Sequence, residues 1–128
     1  MPASLLAVVV DCRDPRSQAG FWSRVLSSEV VERNTDEYLV RDPARQASPL
    51  YFMRVPEPKA GKNRLHVDLV TEGPLEQEVS RLTGLGAHLV EMRQDPGSLE
   101  NPDRWAVLED PEGHVFCVTS TSTLSGWD

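Results

Sequence analysis

Apolar residues fall along this chain in two rhythms, and the order of the rhythms repeats. Positions 5–12 form an apolar run of strand length that ends in the turn-like Arg13-Asp14-Pro15. Beyond it Phe21, Trp22, Val25 and Leu26 recur three or four apart, the spacing of one helix face. Asp14 is placed to cap that helix, with Pro15 at its first position, where a missing N–H costs nothing. Three short strands are predicted at 29–33, 38–41 and 50–55, punctuated by Asp42-Pro43 and Ser48-Pro49. About 59 residues on, the plan starts again. Positions 64–71 read as a strand and about 74–85 as a helix with Leu75, Val79 and Leu82 on its apolar stripe. Gly84 and Gly86 stop that helix, and strands are predicted at 87–93, 104–109 and 114–120. Asp110-Pro111-Glu112-Gly113 makes a tight hairpin turn, and 95–103 is a polar loop. The tail from 122 is loose, with Trp127 available to dock.

Each half is therefore βαβββ, and the polar, turn-rich segment 56–63 between them is short enough for a connection inside one domain. The pattern predicts an α+β fold of two tandem βαβββ modules within a single domain, 1–128. Module one covers about 5–55 and module two about 64–120. Overlaying the halves pairs Ala7 with His66 and Met53 with Cys117.

Composition narrows the classes. With 39% hydrophobic and 26% charged residues the chain is ordinary for a globular protein. Its net charge of -7 argues against nucleic acid, since phosphate binding needs a basic surface. No apolar run approaches the roughly 18 residues that span a bilayer. No basic region precedes the short N-terminal apolar run, so neither a membrane partner nor a signal peptide is expected. Two cysteines, Cys12 and Cys117, are too few for a disulfide framework, and a cytoplasmic setting is the expectation.

Three groups of residues carry a resemblance. They are Asp14-Pro15 with Phe21-Trp22 and Leu26, then 62–68 (Lys-Asn-Arg-Leu-His-Val-Asp), and 110–117 (Asp-Pro-Glu-Gly-His-Val-Phe-Cys). Together, in this order and on this repeat, the chain resembles the glyoxalase-like branch of the vicinal oxygen chelate superfamily. That superfamily includes metal-dependent lyases, isomerases, epimerases and dioxygenases as well as metal-free antibiotic-binding proteins. The resemblance implies cupped mixed sheets around a cavity, with metal ligands in metal-using members supplied by the first and last strands of each module. It also implies a homodimer, because modules of this superfamily commonly pair across chains. The four ligand positions fall on Ala7, Met53, His66 and Cys117.

The chemistry of those four argues against the usual metal. Alanine cannot ligate, a thioether is too soft for an oxygen-rich site, and zinc needs three or four protein ligands. Asp68, Tyr51 and Asp11 share strand faces with them at even spacing and are the residues that would complete a set. No metal and no cofactor is therefore expected. With His66 turned to the cavity, Arg64, Asp68 and Val70 follow it, while Leu65, Val67 and Leu69 pack on the helix side. Ala7, Val9 and Asp11, Tyr51, Met53 and Val55, and Val115, Cys117 and Thr119 turn inward by the same alternation. Such a lining, mostly apolar with a few polar points, suits a small molecule.

Each residue also has a plainer role open to it. His66 is either a hydrogen-bonded core histidine or a ligand contact, and Cys117 either a small buried hydrophobe or a reactive thiol. Tyr51, Met53 and Trp105 are core or cavity wall; Phe21 and Trp22 are helix-to-sheet packing; His88 and His114 look exposed. The sequence thus predicts a metal-free small-molecule-binding protein enclosing an apolar or aromatic ligand, with His66, Asp68, Tyr51, Met53, Cys117, Ala7 and Trp105 contacting it. The alternative is a lyase, isomerase or dioxygenase of the same superfamily using His66 and a non-standard metal set. A third is a partner subunit that binds no small molecule.

Overall fold

A computed structural model describes residues 1–95 and 103–120; the tail with Trp127 and the middle of the 95–103 loop lie outside the described residues. The chain divides into two compact units, 1–60 and 61–128, and each is a βαβββ module, as the periods predict. The first runs β1 (Val8–Cys12), α1 (Pro15–Leu26), β2 (Glu29–Asn34), β3 (Glu37–Arg41) and β4 (Leu50–Arg54). The second runs β5 (Asp68–Thr71), α2 (Leu75–Leu85), β6 (His88–Asp95), β7 (Asp103–Glu109) and β8 (Val115–Ser120). Each sheet is mixed, in the orders β1-β4-β3-β2 and β5-β8-β7-β6. The first and last strands of a module pair in parallel, which requires the helical crossover between them, and the remaining pairs are antiparallel.

One face of each sheet is covered by its helix. In module one Phe21, Trp22 and Val25 of α1 are buried together with Cys12, Tyr38, Val40, Leu50 and Phe52 of the strands. Phe21 and Trp22 meet edge to face with ring centroids 5.5 Å apart. The helix starts where the sequence says it should: the Asp14 carboxylate accepts from the Ser17 N–H at 3.1 Å, with Pro15 following. In module two Leu75, Val79 and Leu82 pack on Ala106, Leu108, Phe116 and Val118. Gly86 ends α2 at φ 119°, a left-handed conformation suited to glycine.

The hairpin before β8 is built on one buried carboxylate. Asp110 accepts from the N–H groups of Glu112 (2.9 Å) and His114 (3.0 Å) and meets His114 Nδ1 at 2.9 Å. Its side chain is wholly buried. His114 is therefore a half-buried hairpin residue, not the exposed one that its sequence setting suggested.

The first strand of module two is shorter than the predicted 64–71, and the cause is Asn63. The parallel register of β5 and β8 assigns His66 as the partner of Val115, yet both backbone groups of Val115 are taken by the Asn63 amide. Val115 N–H donates to Asn63 Oδ1 at 3.0 Å and Asn63 Nδ2 donates to the Val115 carbonyl at 3.4 Å. The ladder opens only with the Cys117 N–H on the Val67 carbonyl, at 3.0 Å. Residues 64–66 thus stand outside the strand, and Leu65, expected against the helix, is 87% exposed.

Candidate functional site

Side chains directly opposite in a sheet point to the same face, so strand register assigns the face opposite each helix. In module two one row across that face is Asp68, Cys117, Val107, Glu91, and the next is Val70, Thr119, Trp105, Arg93. Glu91 and Arg93 pair at 2.9 Å. Thr119 donates its hydroxyl to the Arg104 carbonyl at 2.9 Å, which fixes the second row beside Trp105.

His66 sits one step before this sheet, on exposed backbone, and turns toward it: Nε2 lies 3.2 Å from Asp68 Oδ1. The Cys117 thiol completes a cluster in which one donor atom each from His66, Asp68 and Cys117 lies within 4.8 Å of the others. His66 and Asp68 are about half exposed, so His66 is not a core histidine. Cys117 is half-buried, not the fully enclosed hydrophobe of the plainer expectation. Burial pushes its thiol above the ordinary range, the Asp68 carboxylate adds to that, and Arg93 opposes it.

Module one differs in kind. Its open-face row, matched to module two through Val9 and Asp68 at the 59-residue offset, is Val9, Tyr51, Leu39, Val31, apolar and aromatic where module two has Asp68, Cys117, Val107, Glu91. The neighbouring row is Asp11, Met53, Glu37. Register also corrects the sequence overlay. With Ala7 matched to His66, Val9 matches Asp68, and the strand partner of Val9 is Tyr51, so Tyr51 and not Met53 occupies the place of Cys117. Met53 lies two residues further along the same face. The slip arose because the last strands were aligned by their apolar runs, and a two-residue shift preserves the face. Ala7 precedes β1 and is half-buried.

Tyr51 is tied down by residues the sequence reading passed over. Its hydroxyl donates to Glu37 Oε2 at 2.5 Å, and the Arg33 guanidinium lies 5.8 Å from its ring centroid. A register shift between Glu32 and Asn34 in β2 marks the bulge that re-aims Arg33. The Glu37 bond, then burial, raises the Tyr51 pKa, so the phenol remains a proton donor at neutral pH. Strand alternation from Leu39 back to Glu37 was the signal available in the sequence; the bulge at Arg33 had none.

The donor set allows a direct test of the metal that many members of this superfamily hold. The first-module positions do not fit, since Ala7 offers no ligand atom, the Met53 thioether is too soft for a hard ion, and the Tyr51 phenol keeps its proton in its hydrogen bond to Glu37. The second module does offer three donors of the types zinc accepts. On tetrahedral zinc, donors lie roughly 3.3 to 3.7 Å apart, given its bond lengths. The His66–Asp68 separation matches already, and exposed side chains can close the remainder.

Two βαβββ modules, each with a helix-covered face and an open face, define a vicinal oxygen chelate protein. A model of the glyoxalase-like domain matches residues 7–119, and the chain belongs to that family. Among solved structures, a glyoxalase/bleomycin resistance protein/dioxygenase family enzyme from Burkholderia phytofirmans superposes with a TM-score of 0.70 at 23% identity, over 92% of this chain and 98% of that one. The fosfomycin resistance protein FosX from Listeria monocytogenes, complexed with Mn(II) and sulfate, gives a TM-score of 0.74 at 14% identity, over the full length of both chains. The oxidase ChaP-H2 gives 0.67 at 20% identity, over 94% of each chain. At these identities the likeness establishes the fold and no reaction. No curated protein matches the chain. Among the described residues no helix is long and apolar enough to cross a membrane.

Proposed function

We propose that this protein is a small-molecule-binding member of the glyoxalase-like family that takes an apolar or aromatic ligand on its open sheet faces and works without a bound metal. The observation that carries the reading is the contrast between the rows. Val9, Tyr51, Leu39 and Val31 make an apolar platform in module one, and of its two ligand positions one is Ala7 and the other is Tyr51 within that platform. Ala7 and Met53 extend that platform, and Trp105, Val107 and Val70 supply apolar surface in module two. His66 and Asp68 then act as polar anchors, with Cys117 beside them as a neutral thiol. A mostly apolar surface with a few polar groups is the common character of small-molecule sites, and each open face taken by itself has it. A homodimer in the cytoplasm remains the expected setting.

One observation favours a second reading. His66, Asp68 and Cys117 could together hold a thiophilic ion with a coordination position left open, which is the arrangement of catalytic zinc. The protein would then be an enzyme with an unusual ligand set, in which the ion supplies Lewis acidity and the thiol binds deprotonated. Elemental analysis of the purified protein, with thermal shifts in Zn(II), Ni(II), Mn(II) and Fe(II), decides between them. No stoichiometric metal and no shift is the expected result. A stoichiometric metal lost on His66→Ala would overturn the metal-free reading.

A further inference from the structure

Module one carries an open groove of about 410 Å³ at the end of its open face, lined by Leu5, Leu6, Leu39, Pro49, Arg41, Asp42 and Arg45 among others. We propose that it binds the anionic end of the ligand, so that the preferred ligand class is an apolar small molecule carrying one carboxylate or similar anion. The inference rests on module one's open face being the ligand face, and it involves none of His66, Asp68 or Cys117.

The walls follow from the strand register. Leu39 and Arg41 alternate along β3 on the open face, and Pro49 precedes Tyr51 by two residues on the same side. The N-terminal segment is held beside Pro49 by the Val8 N–H on the Pro49 carbonyl, at 3.0 Å. That bond brings Leu5 and Leu6 alongside the 42–49 loop. Both are more than two-thirds exposed, so their apolar surface is open to a ligand. A ligand tail lying on Leu5, Leu6, Leu39 and Pro49 would cover them. The volume falls in the range of small-molecule sites.

The charges at the rim are not equivalent. Arg41 is already paired, its Nε 2.5 Å from Glu29. Asp42 is committed to its own loop, with Oδ1 accepting from Ala44 N–H at 3.0 Å and Oδ2 from Gln46 N–H at 3.2 Å. Arg45 is different. Its backbone N–H bonds the Asp42 carbonyl at 2.9 Å, and its φ is 56°, so the loop fixes it in a conformation that side chains other than glycine rarely adopt. Among the described residues its guanidinium has no ion-pair or hydrogen-bond partner. An unpaired guanidinium beside the apolar residues of this groove, on a backbone fixed by the loop, is the point where one anionic group would be held.

The test uses octanoate and its neutral counterpart octanol, titrated into the full-length protein while backbone amide resonances are followed. Octanoate is expected to shift amides at 5–8 and 39–48 and to bind about tenfold more tightly than octanol, the gain typical of one charge-assisted contact. Arg45→Gln should remove that preference and leave octanol unchanged, while Arg45→Lys should retain part of it. Equal binding of the two probes would overturn the anion assignment and leave the apolar face intact. Absence of any shift at 39–48 would overturn the groove as a site. Shifts confined to 66–70 and 115–119 would place the ligand on module two and overturn it as well.

Discussion

At the scale of single residues, Cys117 is the most sensitive reporter of what the His66–Asp68–Cys117 cluster does. Its thiol is raised above the ordinary value by burial first and by Asp68 second. The folded form therefore holds its proton more firmly than the unfolded chain. This contribution to stability is complete below the unfolded thiol pKa of about 8.5 and is lost as pH rises through the higher folded value. Alkylation by iodoacetamide, read by mass spectrometry of the peptide, should give Cys117 a reaction midpoint above that of a free thiol. Asp68→Asn removes one cause of the rise and should bring the midpoint down, with faster alkylation near pH 8. A midpoint at or below that of a free thiol would mean the cluster activates the thiolate, and the metal reading would gain. Cys12 serves as an internal control, because it is buried and its Sγ lies 3.7 Å from the Met53 carbonyl.

Elements are held by caps and turns of unequal weight, and burial separates them. Asp14 caps α1 by accepting an exposed hydrogen bond from the Ser17 N–H, so Asp14→Ala should cost about 1 kcal/mol in urea unfolding. Asp110 is wholly buried and satisfies two backbone N–H groups and the His114 ring. Asp110→Ala leaves those donors without their acceptor and should cost about 3 kcal/mol, with an unchanged denaturant slope. Equal costs for the two substitutions would show that the hairpin network contributes no more than an ordinary cap. Both carboxylates were legible, since Asp-Pro before an apolar helix face and Asp-Pro-x-Gly before a strand are local patterns. Burial of His114 was not legible, because it depends on where the hairpin lies and not on residues within reach of a pattern. Nor was the early end of the β5 ladder, which Asn63 imposes across 52 residues of sequence.

For the whole molecule, the repeat gave the architecture away because a βαβββ module is written in local periods, 3.6 for its helix and 2 for its strands. The site was legible as a set of faces, since alternation places Asp68, Cys117, Tyr51 and Met53 on the side away from the helices. Register across parallel strands is set by long-range hydrogen bonds, so the match of Tyr51 to Cys117 and the groove at Arg45 emerged only in three dimensions. The same limit applies to association, where surface must decide. Leu65 is 87% exposed, Val70 stands on the open face of module two, and Val9 stands on that of module one; both valines are more than half exposed. Fully burying one such side chain contributes about 1.5 to 3 kcal/mol, so a dimer that covered a few of them would draw a substantial part of its stability there. Light scattering coupled to size exclusion should give twice the chain mass at micromolar concentration. Leu65→Ser should shift the equilibrium toward the single chain without lowering the thermal midpoint of the isolated monomer, because Leu65 contributes nothing to the helix-covered core. A wild-type protein that elutes as one chain at every concentration would assign Leu65 no partner, and ligand binding would then have to be explained within a single chain.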